Sequence, residues 1–277
     1  MTESQMSDTA SEILDTELPA MPAALASLGA EMQKEDPDFQ RVSMLVNADV
    51  GLAAAVVKIA NSPFVGLGRK IGSVQQAVLY LGLAEVFSVV TGLLLRRSFR
   101  GGGQAMERLW DTAARRASWM SWLSRGTGSV KSDRAYTCGL FEDCGMAVLL
   151  LRAPGYAQTL AQIESADNPR EVERQQHGLD HEVLSQALVR AWGLPDTIAL
   201  AVRHHHDIAT LEALELPAET QVLIALSACA NEAVARNRGR TVTGWSQTRE
   251  ICGRILAVHP RQLDDKLDEM LAVRAAA

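Results

Sequence analysis

The side chains with the most chemistry to offer lie in the second half of the chain. They are the run His204-His205-His206, the pair Asp180-His181 and the adjacent carboxylates Glu142-Asp143. Imidazoles and carboxylates are metal ligands, and carboxylate oxygens suit Mg²⁺ or Mn²⁺. Spacing argues against a full ligand set. Neighbouring residues on a helix point about 100° apart, so Glu142 and Asp143 are not expected to grip one ion together. By the same geometry, at most one or two of the three histidines can face a site shared with His181. Their place at a helix end suits imidazolium capping instead. The expected role of Asp143 is a hydrogen bond to a neighbouring helix. Cys138, Cys144, Cys229 and Cys252 show no C-x-x-C spacing and read as reduced thiols. A phosphate-binding glycine loop, a G-x-S-x-G elbow and an HExxH motif are all absent from the sequence.

Helices must position these groups. Ala, Leu and Val are abundant and aromatics make up 5% of the chain, which favours helix over sheet. Residues 1–17 are polar and acidic and predict a disordered tail. From Leu18 the pattern is helical. Leu52, Val56, Ile59 and Ala60 fall on one helix face, with Asp49 as N-cap and Asn61-Ser62-Pro63 as the stop. A glycine-punctuated loop follows, and Ser73 with Gln76 has capping-box spacing. Gly101-Gly102-Gly103 is the natural joint. It separates an N-terminal lobe, residues 18–100, from a second lobe, residues 104–240, and residues 241–277 form a C-terminal helical extension. In the second lobe the pattern predicts helices over Ala105–Leu123 and Arg134–Leu151, with Gly126–Ser129 as a loop, and later ones up to His206 and beyond.

The formal charge of −6 opposes general binding to DNA or to an anionic membrane. Residues 77–95 are apolar, but Glu85 lies at their centre and Gly82 divides them, so membrane insertion is not expected. The N-terminus lacks the basic start and apolar core of an export signal. A cytoplasmic protein is expected. One stretch is locally positive: residues 96–134, which carry Arg96, Arg97, Arg100, Arg108, Arg115 and Arg116 among their basic side chains.

Asn61-Ser62, Gly66, Ile71-x-Ser73, Gln76-Ala77 and Leu81-Gly82-Leu83 together resemble the signature of HDOD domains, the HD-related output domains of bacterial signalling proteins. The resemblance begins near Leu18, runs through Val46-x-x-Asp49, resumes at Trp110 and reaches His204-His205. It implies an all-α fold in which an N-terminal multi-helix lobe packs with a degenerate HD-like lobe. In this motif Asn61, Ser62, Gly66, Ser73 and Gly82 have structural roles. In catalytic HD phosphohydrolases, histidines and aspartates from several helices hold metal. Comparison puts Thr112 where the first histidine belongs, and Glu142 where the histidine before Asp143 belongs. His181, His204 and His205 match the pattern.

With two imidazoles missing, the resemblance implies a non-catalytic regulatory module with no metal and no cofactor. It would act through contacts with other signalling proteins, in cyclic-dinucleotide, motility or stress pathways. One alternative is a metal-dependent phosphohydrolase acting on a nucleotide through Asp143, His181 and His204 or His205. Another is a pocket that senses a nucleotide without chemistry, which arginines lining a cleft would favour. Arg96, Arg97, Arg100, Arg115 and Arg116 are the candidate contacts for an anionic nucleotide or an acidic partner. Reversing Arg115 and Arg116 to Glu is expected to weaken such binding without unfolding the protein. The oligomeric state is left open.

Overall fold

The structure, a computed structural model, describes residues 18–61, 70–163, 166 and 168–275. The expected tail over residues 1–17, and Ser62, Pro63 and Gly66 of the loop, lie outside the described residues. The fold is all-α, with no strand among the described residues. The chain divides into two compact units. The smaller holds Met21–Ser98 with residues 272–275, and the larger holds Phe99–Leu271 with residues 18–20.

The smaller unit contains α1 (Ala23–Met32), α2 (Phe39–Asn47), α3 (Val50–Ala60), α4 (Val74–Leu81) and α5 (Leu83–Ser98). Local signals set their starts. Asp38 accepts from the Gln40 and Arg41 amides at 2.7 and 3.2 Å, and Asp49 from the Leu52 amide at 2.9 Å. Ser73 Oγ accepts from the Gln76 amide at 3.2 Å, while Gln76 Oε1 accepts from the Gly72 amide at 2.8 Å. The bonds to the Gln40, Arg41, Leu52 and Gln76 amides each satisfy a donor that the first helical turn leaves open, and the Gln76 side chain reaches back to the residue before the cap. Leu52, Val56 and Ala60 are fully buried, and Ile59 sits at the edge of that face. Gly82, at φ 82° and ψ 161°, ends α4, and α5 leaves at 117° to it. Residues 77–95 are thus two short core helices. Among the described residues no single helix is long and apolar enough to cross a membrane.

Asn61 clasps the two ends of the loop after α3. Its Nδ2 donates to the Val57 and Ile71 carbonyls at 2.9 and 2.8 Å, and its Oδ1 accepts from the Ile71 amide at 2.7 Å. Asn61→Ala should destabilise the protein by about 1–2 kcal/mol, the usual loss when such bonds go and their backbone partners stay. A urea midpoint identical to wild type would show that the clasp holds nothing.

The larger unit contains α6 (Gly103–Thr127), α7 (Ser132–Phe141), α8 (Cys144–Arg152), α9 (Tyr156–Ile163), α10 (Pro169–His177), α11 (His181–Ala191) and α12 (Asp196–Arg203). A 3₁₀ turn, Ile208–Ala213, leads to α13 (Ala218–Arg236), α14 (Trp245–Ile255) and α15 (Pro260–Ala275). Gly101, Gly102 and Gly103 all have positive φ, and the last of them opens α6. At the other end α6 continues through Gly126 and Thr127, expected as loop, to Gly128. That residue's left-handed φ of 65° suits the glycine that commonly stops a helix.

The single helix expected over Arg134–Leu151 is two, α7 and α8, with the chain turning at Glu142-Asp143. Residues 241–271, expected as an extension, form α14 and most of α15 inside the larger unit, and α14 packs on α13. Asp264 of α15 ties them together, accepting from Arg236 at 2.5 Å, from the Trp245 indole at 3.1 Å, and from Arg249. The buried Trp192 indole donates to the Pro19 carbonyl at 2.7 Å.

Candidate functional site

Two glycines bring the chemical residues together. Gly139 lets α7 lie on the backbone of α6, since a Cβ there would stand 2.9 Å from Ala117 Cα. Gly145 does the same for α8 on α11: its amide donates to Ser185 Oγ at 2.7 Å, and a Cβ would fall 2.1 Å from the His181 carbonyl oxygen. Between these contacts the chain turns, so Glu142 and Asp143 are not successive residues of one helix. The expectation that they diverge by 100° therefore fails, and both carboxylates meet one guanidinium.

That guanidinium is Arg116 on α6, which is 4% exposed. Its Nη2 lies 2.6 Å from Asp143 Oδ2 and its Nε 3.5 Å from Glu142 Oε2. The first contact is ionic rather than an aligned hydrogen bond. Nε also donates to the Gly139 carbonyl at 3.3 Å. Glu142 accepts from Ser227 Oγ at 2.7 Å and Asn231 Nδ2 at 3.2 Å. Burial raises the Glu142 pKa against the pull of Arg116. Burial also acts to raise Asp143, but Arg116, His181 and His205 outweigh it and hold that carboxyl well below its usual range.

The histidines sit opposite. His181 opens α11, where Asp180 caps the helix by accepting from the Val183 amide at 3.1 Å. Its Nδ1 lies 2.6 Å from Glu173 Oε2, a residue that the sequence alone did not single out and that Tyr156 also contacts. Burial would lower the His181 pKa, but Glu173 and then Asp143 raise it to about 9. His205 Nδ1 donates to the Val202 carbonyl at 2.8 Å, and burial beside His181 lowers its pKa to about 3. His206 is likewise pushed well below its ordinary value by burial and by its neighbours.

The helix ends at Arg203, so the three histidines lie in the following turn. His205 and His206 both face His181, with ring centroids 5.3 Å from it. His204 turns away to Asp207 at 2.9 Å. The pair that joins His181 is therefore His205-His206, not His204-His205, and two neutral rings, one buried and one half-buried, replace the expected capping imidazolium. Thr112 is not in this cluster. It lines the adjoining wall, where its Oγ1 accepts from Arg238 at 3.3 Å.

Three donor atoms converge: Asp143 Oδ1, His181 Nε2 and His205 Nε2 stand 3.4–3.6 Å apart. Ligands of a tetrahedral ion bound at about 2.1 Å are spaced about 3.4 Å apart, so the trio fits one cation by distance. Charge opposes it. Asp143 is already neutralised by Arg116 through its other oxygen, and His181 keeps a proton held by Glu173 and Asp143.

A cavity of about 740 Å³ opens beside the cluster. Arg116, Glu142, Asp143, His205 and His206 form its inner end, and Arg115 with the exposed Arg108, Arg238 and Arg240 lies toward solvent. Of the five arginines expected to bind an anion, the structure brings Arg115 and Arg116 here. Arg116 is buried and committed to the carboxylates, so it is not the surface contact expected of it. Arg96 and Arg97 belong to the smaller unit, where Arg97 pairs with Asp49 at 2.8 Å, and Arg100 does not line the cavity.

The model of the HDOD domain family matches residues 18–208. Among solved structures, an HDOD domain protein of unknown function from Geobacter sulfurreducens superposes with a TM-score of 0.79 at 23% identity, covering 99% of this chain and 97% of that one. A protein from Marinobacter aquaeolei, provisionally identified as a signal transduction protein, gives 0.78 at 20% identity over 99% of this chain and 64% of its own. A protein from Shewanella amazonensis, provisionally identified as a phosphohydrolase, gives 0.71 at 20% identity over 96% and 93%. At these identities the likeness establishes the fold. The chain spans about half or less of the length of the curated relatives it matches.

Proposed function

The chain belongs to the HDOD domain family, and on that premise we propose that it is a signal-transduction module without catalysis of its own, acting through protein partners. The observation that carries this reading is Arg116, a permanent cation buried against Glu142 and Asp143. A hydrolytic centre needs those carboxylates free to hold a metal and its activated water. Here their charge is spent on a side chain, and Thr112 and Glu142 stand where the resemblance calls for histidines. The name of the Marinobacter neighbour points the same way.

Purified protein should therefore hold well under one equivalent of transition metal by elemental analysis, and a chelator should leave its melting temperature unchanged. A stoichiometric metal whose removal lowers that temperature would sink the reading. A second reading, a metal-dependent phosphohydrolase, is favoured by the spacing of Asp143, His181 and His205 and by the name of the Shewanella neighbour. Those three residues would hold the ion, which would supply Lewis acidity toward phosphate. The elemental analysis separates the two.

A further inference from the structure

We propose that the arginine-lined cavity is a binding site for a phosphorylated nucleoside. The proposal deepens the non-catalytic reading and rests on it in one respect, that the bound nucleotide stays intact.

Charge is the first support. In a protein of formal charge −6, four arginines besides the committed Arg116 line one cavity from two separate segments: Arg108 and Arg115 on α6, and Arg238 and Arg240 just after α13. No carboxylate among the described residues pairs with Arg108, Arg115 or Arg240, and Arg238 has only a hydroxyl contact, to Thr112. Asp111 also lines the cavity but has an interaction of its own. Guanidinium groups at one opening suit phosphate, which they bind in bidentate fashion.

The second support lies inside. His206 Nε2 is out of contact with solvent and has no hydrogen-bond partner among the described residues, yet its residue lines the cavity. Buried polar atoms are rarely left so, and a small turn of the ring would present this one to a ligand hydroxyl or ring nitrogen. Size and lining decide the class. The volume of about 740 Å³ lies within the range of small-molecule sites and far exceeds a bare phosphate. Met146, Leu160 and Val234 give it an apolar wall that a sugar phosphate would leave unused and a nucleobase would cover.

The test is isothermal titration of the full chain with ADP, GDP, CDP and UDP, and with pyrophosphate and adenosine as partial ligands. At least one diphosphate should bind with a Kd below about 100 μM, and both partial ligands at least about 10-fold more weakly. The double variant Arg115→Gln, Arg240→Gln should melt like wild type and bind at least about 10-fold more weakly, and added NaCl should weaken the wild type. Absence of binding up to about 1 mM, or a double variant that binds as well as wild type, overturns the site. Pyrophosphate binding as tightly as the best nucleotide overturns the nucleoside part. Chromatography of the recovered ligand keeps the two readings apart. Intact nucleotide supports both, whereas nucleotide bound and then hydrolysed keeps the site and removes the non-catalytic reading. Failure to bind leaves that reading where the metal analysis puts it.

Discussion

Arg116→Met should lower the free energy of unfolding by about 3–5 kcal/mol, the loss expected when a buried charge is stripped of its partner. Methionine keeps most of the aliphatic length and removes the guanidinium that faces Glu142 and Asp143. Glu142 is buried and Asp143 is only 13% exposed, so water replaces little of what is lost, unlike at a surface, where a pair is worth at most about 1 kcal/mol. The Gly139 carbonyl loses a donor as well. Urea denaturation measures the change, and repeating it in an Asp143→Asn background isolates the pair. There Arg116→Met should cost less by more than about 1 kcal/mol, because one of the two carboxylates it would strand is already neutral. A loss under about 1 kcal/mol in the wild-type background would mean that the ion pair contributes only as an exposed one does. Charge reversal at Arg116 would be harsher still, setting a third acid among two. It is unusable as a binding probe, unlike Arg115.

Gly145→Ala should destabilise the protein by about 3 kcal/mol or more, at or above the upper end of ordinary overpacking. The added methyl would stand 2.1 Å from the His181 carbonyl oxygen and 2.9 Å from the Ser185 amide nitrogen. Both obstacles are backbone of α11, which cannot swing aside as a side chain can. The helices must separate, and Gly145 loses its bond to Ser185. Gly29→Ala is the matched control. It lies within α1 with nothing within 4 Å of its Cβ position, and alanine there should be neutral or stabilising by up to about 1 kcal/mol. Equal melting temperatures for Gly145→Ala and wild type would show that α8 and α11 do not pack as closely as described.

What the sequence made legible was local. Asp49 and Ser73 announce helix starts through side chains that reach amides three residues on, and Gly82 announces a corner. Such signals need no tertiary context. The candidate site was harder because it is made by distant contacts. Nothing near Arg116 marks it as buried; its fate depends on Gly139, which lets α7 close onto α6. Glu142 and Asp143 lie within an unbroken helical pattern, so the sequence does not mark the turn between α7 and α8 that lets both share one cation. The resemblance points to His204 and His205, and helix geometry, which limits how many of the three can share a site, does not apply past Arg203. Arg238 and Arg240 carried no signal at all, since only the packing of α13 on α6 brings them beside Arg115. Glu173 is similar: an acidic residue in a polar helix, exposed by its sequence and fully buried in fact.

The contact between Trp192 and Pro19 bears on how the protein can be cut. The larger unit is not one continuous length of chain. It starts at residues 18–20, is interrupted by Met21–Ser98, and resumes at Phe99. The smaller unit is thus an insertion in the covalent order, whatever the three glycines suggest to the eye. A fragment begun at Gly101 would strand a buried indole N–H that had an acceptor in the parent chain. Trimming from the other end removes the closing residues of α15, which are grouped with the inserted unit. Neither part can be lifted out by a single break, and a clean excision would require rejoining residue 20 to residue 99.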